Sequence, residues 1–153
     1  MHEIQGNLID LALDGTFDVI IQGCNCFNTM GAGLAKEIRE RMPEVWEADQ
    51  KTRKGDIQKL GNFTHVIYDD RLYVFNCYTQ YRYGKNHEDG DDMPVDYEAI
   101  TLCLRKINHF LPGKSIGVPL IGCGLAGGDW TIVEKIVETE LKDMVVTIVK
   151  LPE

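Results

Sequence analysis

Residues 19–42 read VIIQGCNCFNTMGAGLAKEIRERM. The run Val19-Ile20-Ile21, leading into Gly23-Cys24, is apolar, β-branched and too short for a helix, so it predicts a buried central strand. A polar loop with Asn25 and Asn28 follows. Gly31 and Gly33 then open a stretch over 33–42 that predicts a helix stopped at Pro43, because proline restrains the residue before it. A strand that turns through glycines into a helix aims unpaired N–H groups at one point, and the helix dipole favours an anion there. An ordinary tight turn is the alternative for these glycines taken alone. Two better-known phosphate loops are excluded: GxGxxG would need glycine where Lys36 stands, and no GxxxxGK[ST] occurs.

The same alternation runs through the chain. Short apolar runs over 116–121 and 145–149 predict further buried strands. Over 95–110, Ala99, Cys103 and Ile107 share a stripe with Ile100 and Leu104 beside it; Ile132, Val133, Ile136, Val137 and Leu141 form another, and both stripes have helical spacing. Two strand patterns, 64–68 and 71–77, flank Asp69-Asp70 and predict a hairpin. Strands alternating with helices, plus one hairpin, give an α/β sandwich on a mixed sheet. A second glycine-rich junction, Ile121-Gly122-Cys123-Gly124-Leu125-Ala126-Gly127-Gly128-Asp129-Trp130, leaves the 116–121 strand for a helix beginning near Thr131. Two such junctions at adjacent strand ends can clamp a diphosphate from both sides, at the carboxyl edge where α/β sheets bind ligands.

The chain has 153 residues, about the size of one domain, and a single domain over 1–153 is expected. Hydrophobic residues at 44% and charged residues at 26% suit a chain that folds alone. Its net charge of −8 repels polyanions, which argues against a nucleic-acid backbone as main partner. A small anion held by backbone N–H groups stays compatible with that charge. Five cysteines, an odd number lying mostly in apolar runs, point to reduced thiols and a cytoplasmic setting. No run approaches the roughly 20 apolar residues of a membrane span, so no membrane partner is expected. His2, His65, His87 and His109 have no metal-ligand spacing; neither metal nor cofactor is expected, and the chain is expected to be a monomer. Residues 83–93, YGKNHEDGDDM, predict a surface loop, with a lid over a ligand as the alternative. Asp89, Asp91 and Asp92 do not complete a calcium loop, since no glutamate follows at the required distance.

Gly6-Asn7-Leu8, GCNCFNTMGAGLA, the strand over 73–78 and PLIGCGLAGGDW together resemble the macro domains, which bind ADP-ribose and in some branches hydrolyse its derivatives. The resemblance covers nearly the whole chain. It is nearest the branch of ADP-ribose-1''-phosphate phosphatases and terminal ADP-ribose glutamate hydrolases, and it implies a three-layer α/β/α sandwich. It further implies that Asn7 and Leu8 lie by the adenine and that Asn25 hydrogen-bonds the distal ribose. Cys24, Asn28, Met30, Gly31, Ala32, Gly33 and Leu34 would contact the ligand from one side. Gly122, Cys123, Gly124, Leu125, Ala126 and Gly127 would contact it from the other. Three positions depart from the family: Asn7 stands where aspartate is common, and Gln80 and Ala126 stand where the deglutamylating branch has lysine and aspartate. A lysine nucleophile is therefore not expected.

Candidates for chemistry are few. Asn25 would orient the distal ribose, and Asp129 could act as general base if Thr131 and Glu134 form a T-x-x-E capping box that leaves it free; helix capping by Asp129 is the alternative. Cys24, Cys26 and Cys123 are either nucleophilic thiols near an anion site or small buried hydrophobes. Three functions follow: a hydrolase acting on an ADP-ribose derivative at the distal ribose, a reader that binds ADP-ribose or an ADP-ribosylated substrate without chemistry, and a fold relative with another nucleotide ligand.

Overall fold

The computed structural model describes residues 1–83, 95–124 and 126–152. At its centre β2 (Val19–Asn25) runs parallel between β4 (Leu72–Gln80) and β5 (Ser115–Val118). A strand flanked on both sides and covered on both faces is built largely from apolar residues, and Val19, Ile20 and Ile21 are fully buried. Beyond β5 lie β6 (Val145–Lys150) and β1 (His2–Gln5), both parallel; at the opposite edge β3 (Phe63–Tyr68) pairs antiparallel with β4. Among the described residues the order is β1-β6-β5-β2-β4-β3, a mixed sheet as the sequence predicts.

Successive strand residues point to opposite faces, so Ile20 and Ile21 serve different cores. Ile20 packs with Leu8, Ile9 and Ala12 of α1 (Leu8–Leu13), Ile38 of α2 (Gly33–Arg41) and Val45 of α3 (Pro43–Gln50). Val19 and Ile21 pack with Ile100, Leu104 and Ile107 of α4 (Tyr97–Phe110) and with Val133 and Val137 of α5 (Trp130–Glu140). Each such aliphatic side chain contributes about 1.5–3 kcal/mol on burial. The result is the three-layer α/β/α sandwich.

Several boundaries differ from the sequence reading. Pro43 ends α2 but also begins α3 at its first turn, where a missing N–H costs nothing; α3 was not anticipated, nor were β1 and α1. The helix expected from residue 95 starts at Tyr97, because Asp96 caps it by accepting from the Ala99 N–H at 2.9 Å, while Val95 bridges to Gln80. The strand expected over 116–121 stops at Val118, and Pro119, with no N–H, follows. The hairpin forms as predicted: Asp69 and Asp70 both have φ of 55°, and the Arg71 N–H closes the turn on the Tyr68 carbonyl at 3.1 Å. Residues 84–94, most of the acidic loop expected over 83–93, lie outside the described residues.

One polar clamp ties the starts of β2 and β5. Asp18 Oδ2 accepts from the Ser115 N–H (3.1 Å) and Oγ (3.0 Å), and the Asp18 N–H donates back to Ser115 Oγ (2.9 Å) and O (3.1 Å). The Ser115 N–H bond, foremost, holds the Asp18 carboxyl below the usual carboxylate range. A depressed folded pKa stabilises above the unfolded value of about 3.9, and that contribution is lost as pH falls through the folded pKa. Asp18→Ala is expected to cost about 1–2 kcal/mol at neutral pH by urea unfolding, the gap from the parent narrowing in acid; a gap that persists at the lowest pH would contradict the clamp.

Candidate functional site

Because β2, β4 and β5 are parallel, their carboxyl ends and outgoing loops meet at one edge. A cleft of about 550 Å³ opens there, lined by residues 22–25 of β2, Thr29, residues 31–35, Gln80, Tyr83, residues 119–122, Gly124 and Ala126. Among the described residues none of these side chains is charged. The polar side chains available are Gln22, Asn25, Thr29, Gln80 and Tyr83; the remainder is backbone and small apolar surface.

Two glycine loops face the cleft. Gly31, Gly33 and Gly124 have nothing within 4 Å of where a Cβ would stand, so their backbones border open space. Gly33 holds φ of +57°, which glycine adopts without penalty. Ala32 is the N-cap of α2 and supplies no side-chain hydrogen bond to the first turn, which leaves the amino end of that helix to an anion. The second loop is tightly closed: the Gly128 N–H donates to the Gly122 carbonyl at 2.8 Å and the Gly127 N–H to that of Gly124 at 3.0 Å. A Cβ on Gly128 would lie 2.5 Å from the Gly122 oxygen.

No protein-family model matches the chain. It is 35% identical to the uncharacterized 17.5 kDa protein in the tk-vs intergenic region of Enterobacteria phage T4, over 95% of this chain and 93% of that one. It is 26% identical to the ADP-ribose 1''-phosphate phosphatase of Aspergillus oryzae, over 95% of this chain and 92% of that protein. A macrodomain protein structure from Streptomyces coelicolor superimposes with a TM-score of 0.64 at 25% identity, covering 86% of each chain. The macrodomain of Mycobacterium tuberculosis DarG gives 0.72 at 21% identity, covering 99% of this chain and 97% of that one. The chain has the macrodomain fold.

Of the residues expected to contact a ligand, Cys24, Asn25, Gly31, Ala32, Gly33, Leu34, Gly122, Gly124 and Ala126 line the cleft. Asn25 is held by its own loop: Oδ1 accepts from the Phe27 N–H at 2.8 Å, and Nδ2 donates to Thr29 Oγ1 at 2.7 Å and Thr29 O at 3.2 Å. Both amide hydrogens are used, and a second lone pair on Oδ1 remains for a ligand hydroxyl. Thr29, Gln22, Ala35, Tyr83 and residues 119–121 were not anticipated. Gln80 was noted only as a departure, yet it is Asn25's register partner across β2 and β4, a neighbour that strand pairing alone reveals.

Other expected residues stand elsewhere. Asn7 caps α1, its Oδ1 accepting from the Asp10 N–H at 2.9 Å and its Nδ2 donating to Glu37 at 3.0 Å, and Leu8 is buried in the core, so neither lines the cleft. Met30 is buried, with Gln22 Nε2 3.8 Å from its sulfur. Asn28 turns away toward Thr52 and Lys59. The Cys123 thiol points to the Ile121 carbonyl at 3.4 Å, and Gly127 serves the turn. Leu125 lies outside the described residues. Asp129 is the N-cap of α5, accepting from the Thr131 N–H at 2.9 Å, and is not part of the cleft lining. The Thr131–Glu134 capping box is therefore not formed; the Glu134 carboxylate accepts from Trp130 Nε1 at 3.1 Å instead.

Burial settles the thiols. It pushes Cys24 well above its ordinary value and Cys26 to about 11, and it raises Cys123 with help from the Asp129 charge. All three stay protonated at neutral pH and pack as small hydrophobes. Among the described residues no cluster of three or more His, Cys, Asp and Glu is arranged to hold a metal.

The glycine geometry separates two substitutions. Gly128→Ala is expected to cost about 1–3 kcal/mol in urea unfolding, since its methyl meets a backbone oxygen. Gly31→Ala, facing open space, is expected to stay within about 0.5 kcal/mol of the parent; equal effects of the two would contradict the loop geometry.

Proposed function

We propose that this macro domain binds ADP-ribose across the cleft and hydrolyses a derivative substituted on the distal ribose, ADP-ribose-1''-phosphate being the substrate class. The observation that carries this reading is the pair of opposed glycine loops in one cleft whose described lining carries no side-chain charge. Backbone N–H groups and the α2 dipole suit a diphosphate dianion, and Asn25, Thr29 and Gln80 supply amide and hydroxyl groups for ribose hydroxyls. The similarity to a phosphatase of that name over nearly the full length of both proteins supports the substrate class.

In the reaction proposed, the oxygen of a water forms a bond to the 1''-phosphorus while the bond from phosphorus to the 1''-oxygen breaks. ADP-ribose leaves with the 1''-hydroxyl, and inorganic phosphate is released. Catalysis rests on positioning the water and the ester. Asp129, capping α5, is not assigned as the base. The second reading, a reader without chemistry, is favoured by one observation: no described side chain lining the cleft is a carboxylate, imidazole or amine.

Incubation with ADP-ribose-1''-phosphate is expected to release phosphate and leave ADP-ribose. Calorimetric binding of ADP-ribose without release would assign the reader, and no heat at millimolar concentrations would remove both readings. With no cation among the described lining residues and a net charge of −8, affinity for the dianion is expected to rise as salt screens the long-range repulsion, over roughly 0.01–0.15 M ionic strength. A fall of the kind a lysine or arginine site gives would contradict the backbone-cradle assignment.

A further inference from the structure

The loop that carries Asn25 and Thr29 to the cleft makes its turn at Asn28, whose φ is +60°. Left-handed backbone is costly for a residue with a Cβ unless its surroundings hold it there. Every polar group of Asn28 beyond its N–H is held. Its Oδ1 accepts from Lys59 Nζ at 2.6 Å, its Nδ2 donates to the Thr52 carbonyl at 2.9 Å, and its own carbonyl accepts from Gln50 Nε2 at 2.8 Å. Lys59 is only 9% exposed, although lysine is seldom buried. Its ammonium also donates to Thr52 Oγ1 at 2.9 Å and lies 5.1 Å from the centroid of the Tyr78 ring. Thr52 Oγ1 in turn donates to the Asp49 carbonyl at 2.6 Å, and Tyr78 OH donates to Asp49 Oδ1 at 2.8 Å.

Lys59 does not line the cleft, yet it is joined to it through a short chain of bonds. Thr29, next to Asn28, lines the cleft and accepts from the Asn25 amide through both Oγ1 and O. The Gly55 N–H holds the Cys26 carbonyl at 2.7 Å on the other side of the turn. We propose that Lys59 is a positioning residue for the ligand cleft: by anchoring Asn28 in the left-handed conformation, its buried ammonium fixes Asn25 and Thr29 where they meet the distal ribose. The proposal rests on the ADP-ribose reading above.

Glycine adopts positive φ without an anchor, so an Asn28→Gly background removes the need for Lys59. Calorimetric titration with ADP-ribose should find Lys59→Met at least about tenfold weaker than the parent, while in the Asn28→Gly background the same change should cost less than about threefold. Equal losses in both backgrounds would overturn the proposal, because a general packing role of Lys59 is indifferent to residue 28. If Lys59→Met fails to fold, Asn28→Ala against Asn28→Gly asks the same question with Lys59 intact. Alanine keeps the strained turn and loses the anchor, so it should bind more weakly than glycine by about tenfold; equal affinities would overturn the proposal. A parent that gives no heat with ADP-ribose removes the ligand reading instead, and the anchor is then judged by amide hydrogen exchange over residues 26–29. Lys59→Met should speed that exchange, and unchanged exchange would overturn the anchor.

Discussion

The parallel pairing of β2 with β4 on one side and β5 on the other is the constraint from which the rest follows. Parallel strands share a carboxyl edge, so the chain leaving β2 and the chain leaving β5 emerge side by side, each turning through glycines into a helix. Covering β2 on both faces requires α1, α2 and α3 on one side and α4 and α5 on the other. The two helices that follow those loops, α2 and α5, begin at that edge. Fold and cleft are in this sense one arrangement: the apolar run Val19-Ile20-Ile21 forms the core, and the polar turn that ends it forms the site.

In the binding mode proposed, the chemistry of the cleft is backbone chemistry. A chain with net charge −8 that bound a diphosphate through lysine or arginine would show such side chains at the cleft, and the described lining has none. Oriented N–H groups need no countercharge and no long side chain to immobilise, and they make glycine the residue that matters. Side-chain specificity is left to a few amides and hydroxyls at the Asn25 end. Their geometry depends on a second, deeper layer, where Asp49, Thr52, Lys59 and Tyr78 form a buried polar network beneath the first loop. Buried polar networks that are well satisfied specify one geometry, and this one lies directly below the residues whose placement matters most.

Much of the architecture was legible in the sequence because periodicity reports burial directly. The strands around Val19, Ile116 and Val145, the α4 stripe, Val133 and Val137 of α5 and the Asp69-Asp70 turn appear where their patterns put them, whereas Ile132, expected on the α5 stripe, is exposed. The helix after Pro43 was missed because proline carries two messages, a stop for the preceding residue and a favourable first turn for the next. At the site, the glycines were legible because unhindered backbone is their own property. Asn7 and Asp129 were ambiguous: an amide or carboxylate at a helix start serves ligand and cap equally well in sequence, and the structure shows the caps, in bonds to the Asp10 and Thr131 N–H groups. Asn28 and Lys59 lie 31 positions apart, and no local pattern signals a contact at that range. Leu125 stays outside what the structure describes.

The central claim is that backbone amides of two loops clamp one diphosphate. It is tested most directly by titrating ¹⁵N-labelled protein with ADP-ribose and following the amide resonances. The account predicts concerted, saturable shifts of Gly31, Ala32 and Gly33 in the first loop and of Gly122 and Gly124 in the second, at one common affinity. Shifts confined to a single loop, or absent from both at saturating ligand, would contradict it.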